Sequence, residues 1–294
     1  KSTHLVDLSI SISLREDQMA SCYGKIQSSA QGINLDCLPI RSQTKDGAHV
    51  EIHPFHEQDC HTGMEMLNQV IDEGRSWPFE ELLDLQGFRA YFLSHHAFVV
   101  REPQGGEGAY EVLGVFYVKP NFPGRCAHIC NGGFVTHLAH RRRGVGRLMG
   151  LAFRRLAADL GYRAAFFNLV FASNAASAGL WESLGPTAGF RRLATVPRAA
   201  RLRGLPGLQD AHQVYCDLTE PFDLNAALCK KNQKESVSAV DMGGEESQVV
   251  EPAADGKMIR PLPPSLLPSF PVVLLLGVVV YRVFCQQHVA KNHY

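Results

Sequence analysis

Residues 134–150 constrain this chain most: Phe-Val-Thr-His-Leu-Ala-His-Arg-Arg-Arg-Gly-Val-Gly-Arg-Leu-Met-Gly. An apolar run stops at three arginines and two glycines. Leu148, Leu151, Ala152 and Leu156 then recur at helical spacing, with Arg154 and Arg155 expected on the outward face. A strand therefore feeds a glycine-containing turn that opens a helix. The unpaired N–H groups there, the positive end of the helix dipole and the cations from Arg141 to Arg147 all favour an anion. Gly144 and Gly146 let the backbone approach it closely. The ligand class implied is a phosphate or pyrophosphate.

Spacing narrows the class. A nucleotide P-loop needs Lys and then Ser or Thr after its second glycine, whereas Arg147 and Leu148 follow here. A dinucleotide fingerprint needs a third glycine where Met149 stands. Arg141-x-x-Gly144-x-Gly146 resembles instead the pyrophosphate signature of the GNAT superfamily of acetyl-CoA-dependent N-acetyltransferases. A second strand–helix unit at 165–185 strengthens the resemblance. Its apolar, aromatic run ends at Ser173 and Asn174, which cap a helix carrying Ala178, Leu180, Trp181 and Leu184. Phe167 to Phe171, Ser173-Asn174, Ser177, Leu180-Trp181, Asn131 to Phe134, Val196-Pro197, Arg201-Leu202, Asp210-Ala211 and Tyr215 resemble one subfamily, the fungal-type acetyltransferases of proline analogues such as azetidine-2-carboxylate.

The resemblance implies a set of roles. The strand end at Thr136, His137 and Leu138 would bind pantetheine through its backbone, with an N–H there as oxyanion donor. Arg141, Arg142, Arg143, Gly144, Val145, Gly146 and Arg147 would hold the pyrophosphate, and Asn174 would contact the CoA arm. Asn131 and Asn168 would orient the acceptor; Asn is disfavoured in strands, so Asn168 inside Phe-Phe-Asn-Leu-Val-Phe calls for a reason. A buried amide bonded to backbone is the alternative for Asn168, and a simple helix cap the alternative for Asn174. Trp181 stands where the superfamily often has a proton-donating Tyr and reads as a core residue. No general base stands out among His137, His128, Glu111 and Asp210.

Other features set bounds. The formal net charge is zero, so the arginine cluster is local and nucleic acid is not an expected partner. Eight cysteines without a secretory signal suggest reduced thiols and a cytoplasmic-facing domain. Cys126-x-His128-x-Cys130 lacks the second ligand pair of a structural zinc site, so no metal is expected.

The fold class expected is a mixed α/β sheet covered by helices, in the order β-α-α-β-β-β-α-β-α-β-β, over residues 38–219. Periodicity places a first strand near 49–52, helices at 57–73 and about 79–85, and strands at 88–100, 111–119 and 130–138. A helix at about 144–160, a strand at 165–172, a helix at 174–184 and strands near 189–195 and 211–218 follow. Residues 186–189 separate Gly185 from Phe190 where the family runs on directly, and read as a loop extension at the substrate lip. Residues 1–37 read as a poorly ordered extension. Residues 220–261 are polar and read as a disordered linker. Residues 262–281 carry no charge, so 262–285 is a candidate membrane anchor. Prolines 263, 264, 268 and 271 shorten its clean helical part, and a hydrophobic tail packed on the domain is the alternative.

The function expected is therefore acetyl transfer from acetyl-CoA to a small amino or imino acid, a small-molecule amine substrate. The alternatives are a GNAT enzyme for a polyamine, protein N-terminus or lysine, and a non-catalytic CoA-binding, membrane-tethered protein. Homodimerisation is an expectation carried by analogy of fold.

Overall fold

The computed structural model describes residues 35–106 and 108–229, together with the backbone of a small ladder in which β1 (Ala20–Ser21) pairs with β2 (Gly24–Lys25). The candidate anchor at 262–285 lies outside the described residues. Among the described residues no helix is long and apolar enough to cross a membrane.

Eight strands form one mixed sheet in the order β3-β4-β5-β6-β7-β8-β10-β9. They are β3 (Ile40–Gln43), β4 (His49–Pro54), β5 (His96–Pro103), β6 (Tyr110–Pro120), β7 (Ile129–Thr136), β8 (Ala164–Phe171), β9 (Arg191–Ala200) and β10 (Gln209–Asp217). Every pairing is antiparallel except β7 with β8. Helices α1 (Cys60–Glu73) and α2 (Leu85–Phe92) cover one face; α3 (Val145–Asp159) and α4 (Ala175–Ala188) cover the other.

The middle strands are buried on both faces, which explains their continuous apolar runs. Phe98 and Val100 pack with α3, while Val99 between them packs with α1 and α2. On β6 a bulge interrupts this alternation. Val100 pairs with Gly114 and Arg101 with Val112, so Leu113 is the extra residue. Leu113 joins the α3 side and Val115 the α1 side, although both are odd-numbered.

The expected mixed α/β architecture is the one observed, with local differences that have physical causes. Helix α2 begins at Leu85 rather than near Phe79. Asp84 fixes its start by accepting the Gly87 N–H at 2.6 Å. Phe88 and Phe92 therefore sit one helical turn apart, stacked with centroids 5.1 Å apart, in a segment whose hydrophobicity suggests a strand. A strand not anticipated, β3, forms a hairpin with β4 through Thr44–Ala48. Arg154 is not outward but 2% exposed; it donates to the carbonyls of Leu218 and Glu220 at 3.3 and 2.7 Å and lies over the Phe222 ring.

Residues 186–188 extend α4 instead of forming a loop. Gly189 closes the helix at φ +76°, its N–H donating to Gly185 O at 2.9 Å. Ala188 enters the core and its carbonyl accepts from Cys216 Sγ at 3.2 Å. Of the inserted residues Ala188 thus adds to the core, and none of the four lines the cleft described below. At the start of the stretch whose composition suggests no structure, Leu224–Cys229 form the short helix α5.

Candidate active site

The site begins where the parallel strands part. β7 and β8 pair only at Ile129 with Ala164 and Cys130 with Ala165. Beyond those two pairs the facing edges open into a cleft of about 1030 Å3. The backbone register says which groups face it. The Asn121 N–H donates to Ile129 O and the His137 N–H to Leu113 O, so odd-numbered β7 residues exchange bonds with β6. Even-numbered Phe134 and Thr136 turn their amides toward the departed β8. Thr136 lines the cleft; His137 and Leu138 do not.

At one end lies the N-terminus of α3. Gly144 takes φ +87° at its cap, a conformation costly for any residue with a Cβ. The first amides of α3, at Val145, Gly146 and Arg147, have no intrahelical acceptor. The β3–β4 turn braces this end: the Lys45 N–H donates to Arg143 O at 2.8 Å, and a Cβ on Gly144 would stand 3.1 Å from Lys45 Cγ.

The three arginines before Gly144 divide their labour. Arg143 does not line the cleft. Its guanidinium pairs with Asp46 at 2.8 Å and Glu102 at 2.9 Å and lies 3.0 Å from His140 Nδ1, while His140 Nε2 is 2.7 Å from Glu111. Arg143 therefore anchors the turn from behind. Arg141 lines the cleft and pairs with Glu73 at 2.9 Å, and Arg142 lines it from φ +70°. Arg147 also lines it, and burial pulls its guanidinium below the ordinary arginine value. A desolvated cation beside free helix amides fits a polyanionic phosphate group. Asn174 lines the same end and caps α4, accepting the Ser177 N–H at 3.1 Å, so the two readings of this residue are compatible.

The other end is aromatic. Phe167 packs into the α3–α4 core, so alternation turns Asn168 to the opposite face. Asn131 shares a face with Gly133, where a Cβ would stand 2.4 Å from Tyr117 Cε1 and 2.6 Å from Trp77. Both asparagines line the cleft. Asn131 Oδ1 accepts the Gly132 N–H at 2.8 Å. The hydroxyls of Tyr91 and Tyr117 are 3.0 Å apart, and Lys119 Nζ lies 3.9 and 4.2 Å from the two ring centroids. Burial pushes the Tyr117 phenol well above its ordinary pKa, so it stays neutral.

Among the described residues Glu73 is the only carboxylate lining the cleft, and Arg141 holds it. His137, His128, Glu111 and Asp210 do not line it. Trp181 is 5% exposed against Phe134, Phe167 and Phe190, as expected of a core residue. Trp77, Tyr91, Tyr117 and Lys45 belong to the site without having been singled out by sequence pattern. Gly132-Gly133 was the usable signal, because a glycine pair inside a strand marks close approach by other groups.

Comparison with known proteins shows what this fold and cleft resemble. Residues 57–185 match the acetyltransferase (GNAT) family. The chain is 46% identical over 101 residues to the N-acetyltransferase aca1 of Schizosaccharomyces pombe, a match covering 34% of this chain and 46% of that protein. It is 33% identical over 117 residues to Protein SPT10 of Saccharomyces cerevisiae, covering 39% of this chain and 18% of that protein. The chain thus spans less than half the length of these curated relatives. Among solved structures, a GCN5-related N-acetyltransferase from Kribbella flavida superposes with a TM-score of 0.52 at 25% identity, covering 57% of this chain and 97% of that one. A putative phosphinothricin N-acetyltransferase shares the fold at 18% identity and a TM-score of 0.50, covering 58% and 99%. The matched segment resembles a GNAT acetyltransferase domain in sequence and in fold.

Proposed function

We propose that this protein moves an acetyl group from acetyl-CoA directly to the nitrogen of a small amino or imino acid, such as a proline analogue. One observation carries the reading. A single cleft joins the free amides of α3 and Arg147 to an end walled by Trp77 and Tyr117 and bearing the amides of Asn131 and Asn168. The 46% identity to a curated N-acetyltransferase supports the transfer chemistry.

The residues suit the reaction in sequence. The turn from Arg142 to Arg147 holds the CoA pyrophosphate, and the Phe134 and Thr136 amides facing the gap hold the pantetheine and polarise the thioester oxygen. Asn131 and Asn168 orient the acceptor so that its neutral nitrogen meets the carbonyl carbon. The C–N bond forms, the C–S bond breaks, and the amine proton passes to water. CoA leaves as a thiolate with an unperturbed pKa of about 8.5 and takes a proton from solvent. A polyamine or a lysine-rich peptide fits less well, because Glu73 is already paired and no other carboxylate of the described residues lines the cleft.

A thiol-release assay with acetyl-CoA and azetidine-2-carboxylate, proline, spermidine and a lysine peptide tests this. CoA release with the imino acids is expected. Release only with spermidine or the peptide would overturn the acceptor class, and none with any amine would overturn the transfer itself.

A further inference from the structure

The side chain of Asn168 does not stand alone. Its Nδ2 donates to Asn121 Oδ1 at 2.7 Å, and its Oδ1 accepts from Asn121 Nδ2 at 3.0 Å. The two carboxamides form a closed reciprocal pair between residues 47 apart in sequence. Asn121 follows β6, is 3% exposed, and is held by its own N–H to Ile129 O at 2.8 Å. It does not line the cleft, whereas Asn168 does. A carboxamide has two N–H donors and two acceptor lone pairs. Pairing takes one of each from Asn168 and leaves one of each for a ligand.

We propose that Asn121 is the positioning residue of the acceptor end. It fixes the plane and polarity of the Asn168 carboxamide, so that the N–H left over is presented to the acceptor carboxylate. The assignment rests on the acceptor reading given above. An unpaired asparagine turns freely about its broad terminal torsion and can exchange its two ends. That ordering cost would then fall on binding. The pair removes it in advance, in the manner of a support that holds a contacting group from behind.

Asn121→Asp and Asn121→Leu test the proposal in full-length protein. When the introduced carboxyl is protonated it keeps both bonds, its O–H donating to Asn168 Oδ1 and its carbonyl accepting from Nδ2. The ionised form keeps one and sets a charged oxygen against Asn168 Oδ1. The ratio of acceptor KM in Asn121→Asp to that in wild type, taken at each pH, should therefore rise with pH to about 10-fold, while acetyl-CoA KM stays flat. Taking the ratio cancels the amine's own titration. Asn121→Leu should raise acceptor KM by a similar factor at every pH. A thermal melt and acetyl-CoA affinity by calorimetry report the fold independently. Variants that melt lower but show no selective rise in acceptor KM over acetyl-CoA KM would make Asn121 merely structural and overturn the proposal. If Asn121→Asp does not fold, the acceptor-to-acetyl-CoA KM split in Asn121→Leu and Asn121→Ser decides. If wild type acetylates no amine at all, the acceptor reading falls, and this assignment falls with it.

Discussion

The two ends of the cleft are built on different principles. The anion end comes mainly from one stretch, Thr136 to Arg147, braced by Lys45 and joined by Asn174. The acceptor end is gathered from Trp77, Tyr91, Tyr117, Asn131 and Asn168, which share no segment. Backbone amides dominate the first, and a helix N-terminus produces them wherever the helix begins. Side chains dominate the second, and only the sheet register brings those together. Local chemistry therefore encodes the first end, and long-range packing assembles the second.

Substitutions should separate the ends by what they disturb. The largest effect is expected at Gly133. Its Val variant would drive methyl groups into Tyr117 and Trp77, where even a Cβ lies 2.4–2.6 Å away. Overpacking of this kind costs about 1–3 kcal/mol, so the melting temperature should fall with it. Acceptor kcat/KM should drop by about 100-fold, the cost of a 1 Å misplacement, while acetyl-CoA binding measured by calorimetry survives in the folded fraction.

Next comes Asn168→Ala, which removes the proposed contact with the acceptor and leaves Asn121 without its partner. A fall of about 10- to 100-fold in acceptor kcat/KM is expected, with acetyl-CoA affinity unchanged. Equal losses for both substrates would erase the division between the ends. The converse test is Arg147→Gln at the anion end. Acetyl-CoA affinity should fall by about 10-fold, as for the loss of one charge-assisted contact, and acceptor KM at saturating acetyl-CoA should stay put.

The smallest effect concerns His95, a partly buried imidazole that feels the charge of Lys119. Burial first, and then the charges of Lys119 and His96, lower its pKa from 6.5 to about 4. The folded state thus disfavours a proton that the unfolded chain accepts. The stability from a neutral His95 is intact above pH 6.5 and is lost as pH falls from 6.5 toward 4. Melting temperatures measured across that interval should decline in wild type and decline less in His95→Gln. Identical profiles would remove His95 from the account.

Much of the architecture is legible from the chain. Alternation and helical spacing locate β6, β7, β8, α3 and the start of α4 closely, because these elements bury strong faces. Failures come where two physical signals compete. Phe88 and Phe92 look like strand material until Asp84 caps a helix that stacks them. Pro186 looks like a loop, yet the helix runs on to Gly189 and buries Ala188. Arg154 looks like a solvated cation, yet the carbonyls of Leu218 and Glu220 offer it acceptors inside. In each case a partner distant in sequence, or a cap, outweighs local pattern.

The site divides in the same way. The arginine–glycine turn is readable as an anion cradle because its donors belong to its own backbone. Arg143 is the exception within it: expected in the lining, it is turned away, since Asp46, Glu102 and His140 reach it only through the fold. Sequence alone determined the strand–turn–helix unit, its preference for an anion and the oddity of an asparagine in an apolar strand. Tertiary structure decided what that asparagine faces and what holds it. The two-pair contact of β7 with β8 opens the cleft, and Asn121 arrives from 47 residues away to lock Asn168 at its edge. Backbone chemistry is local and survives in the linear code; side-chain constellations exist only once the sheet register is set.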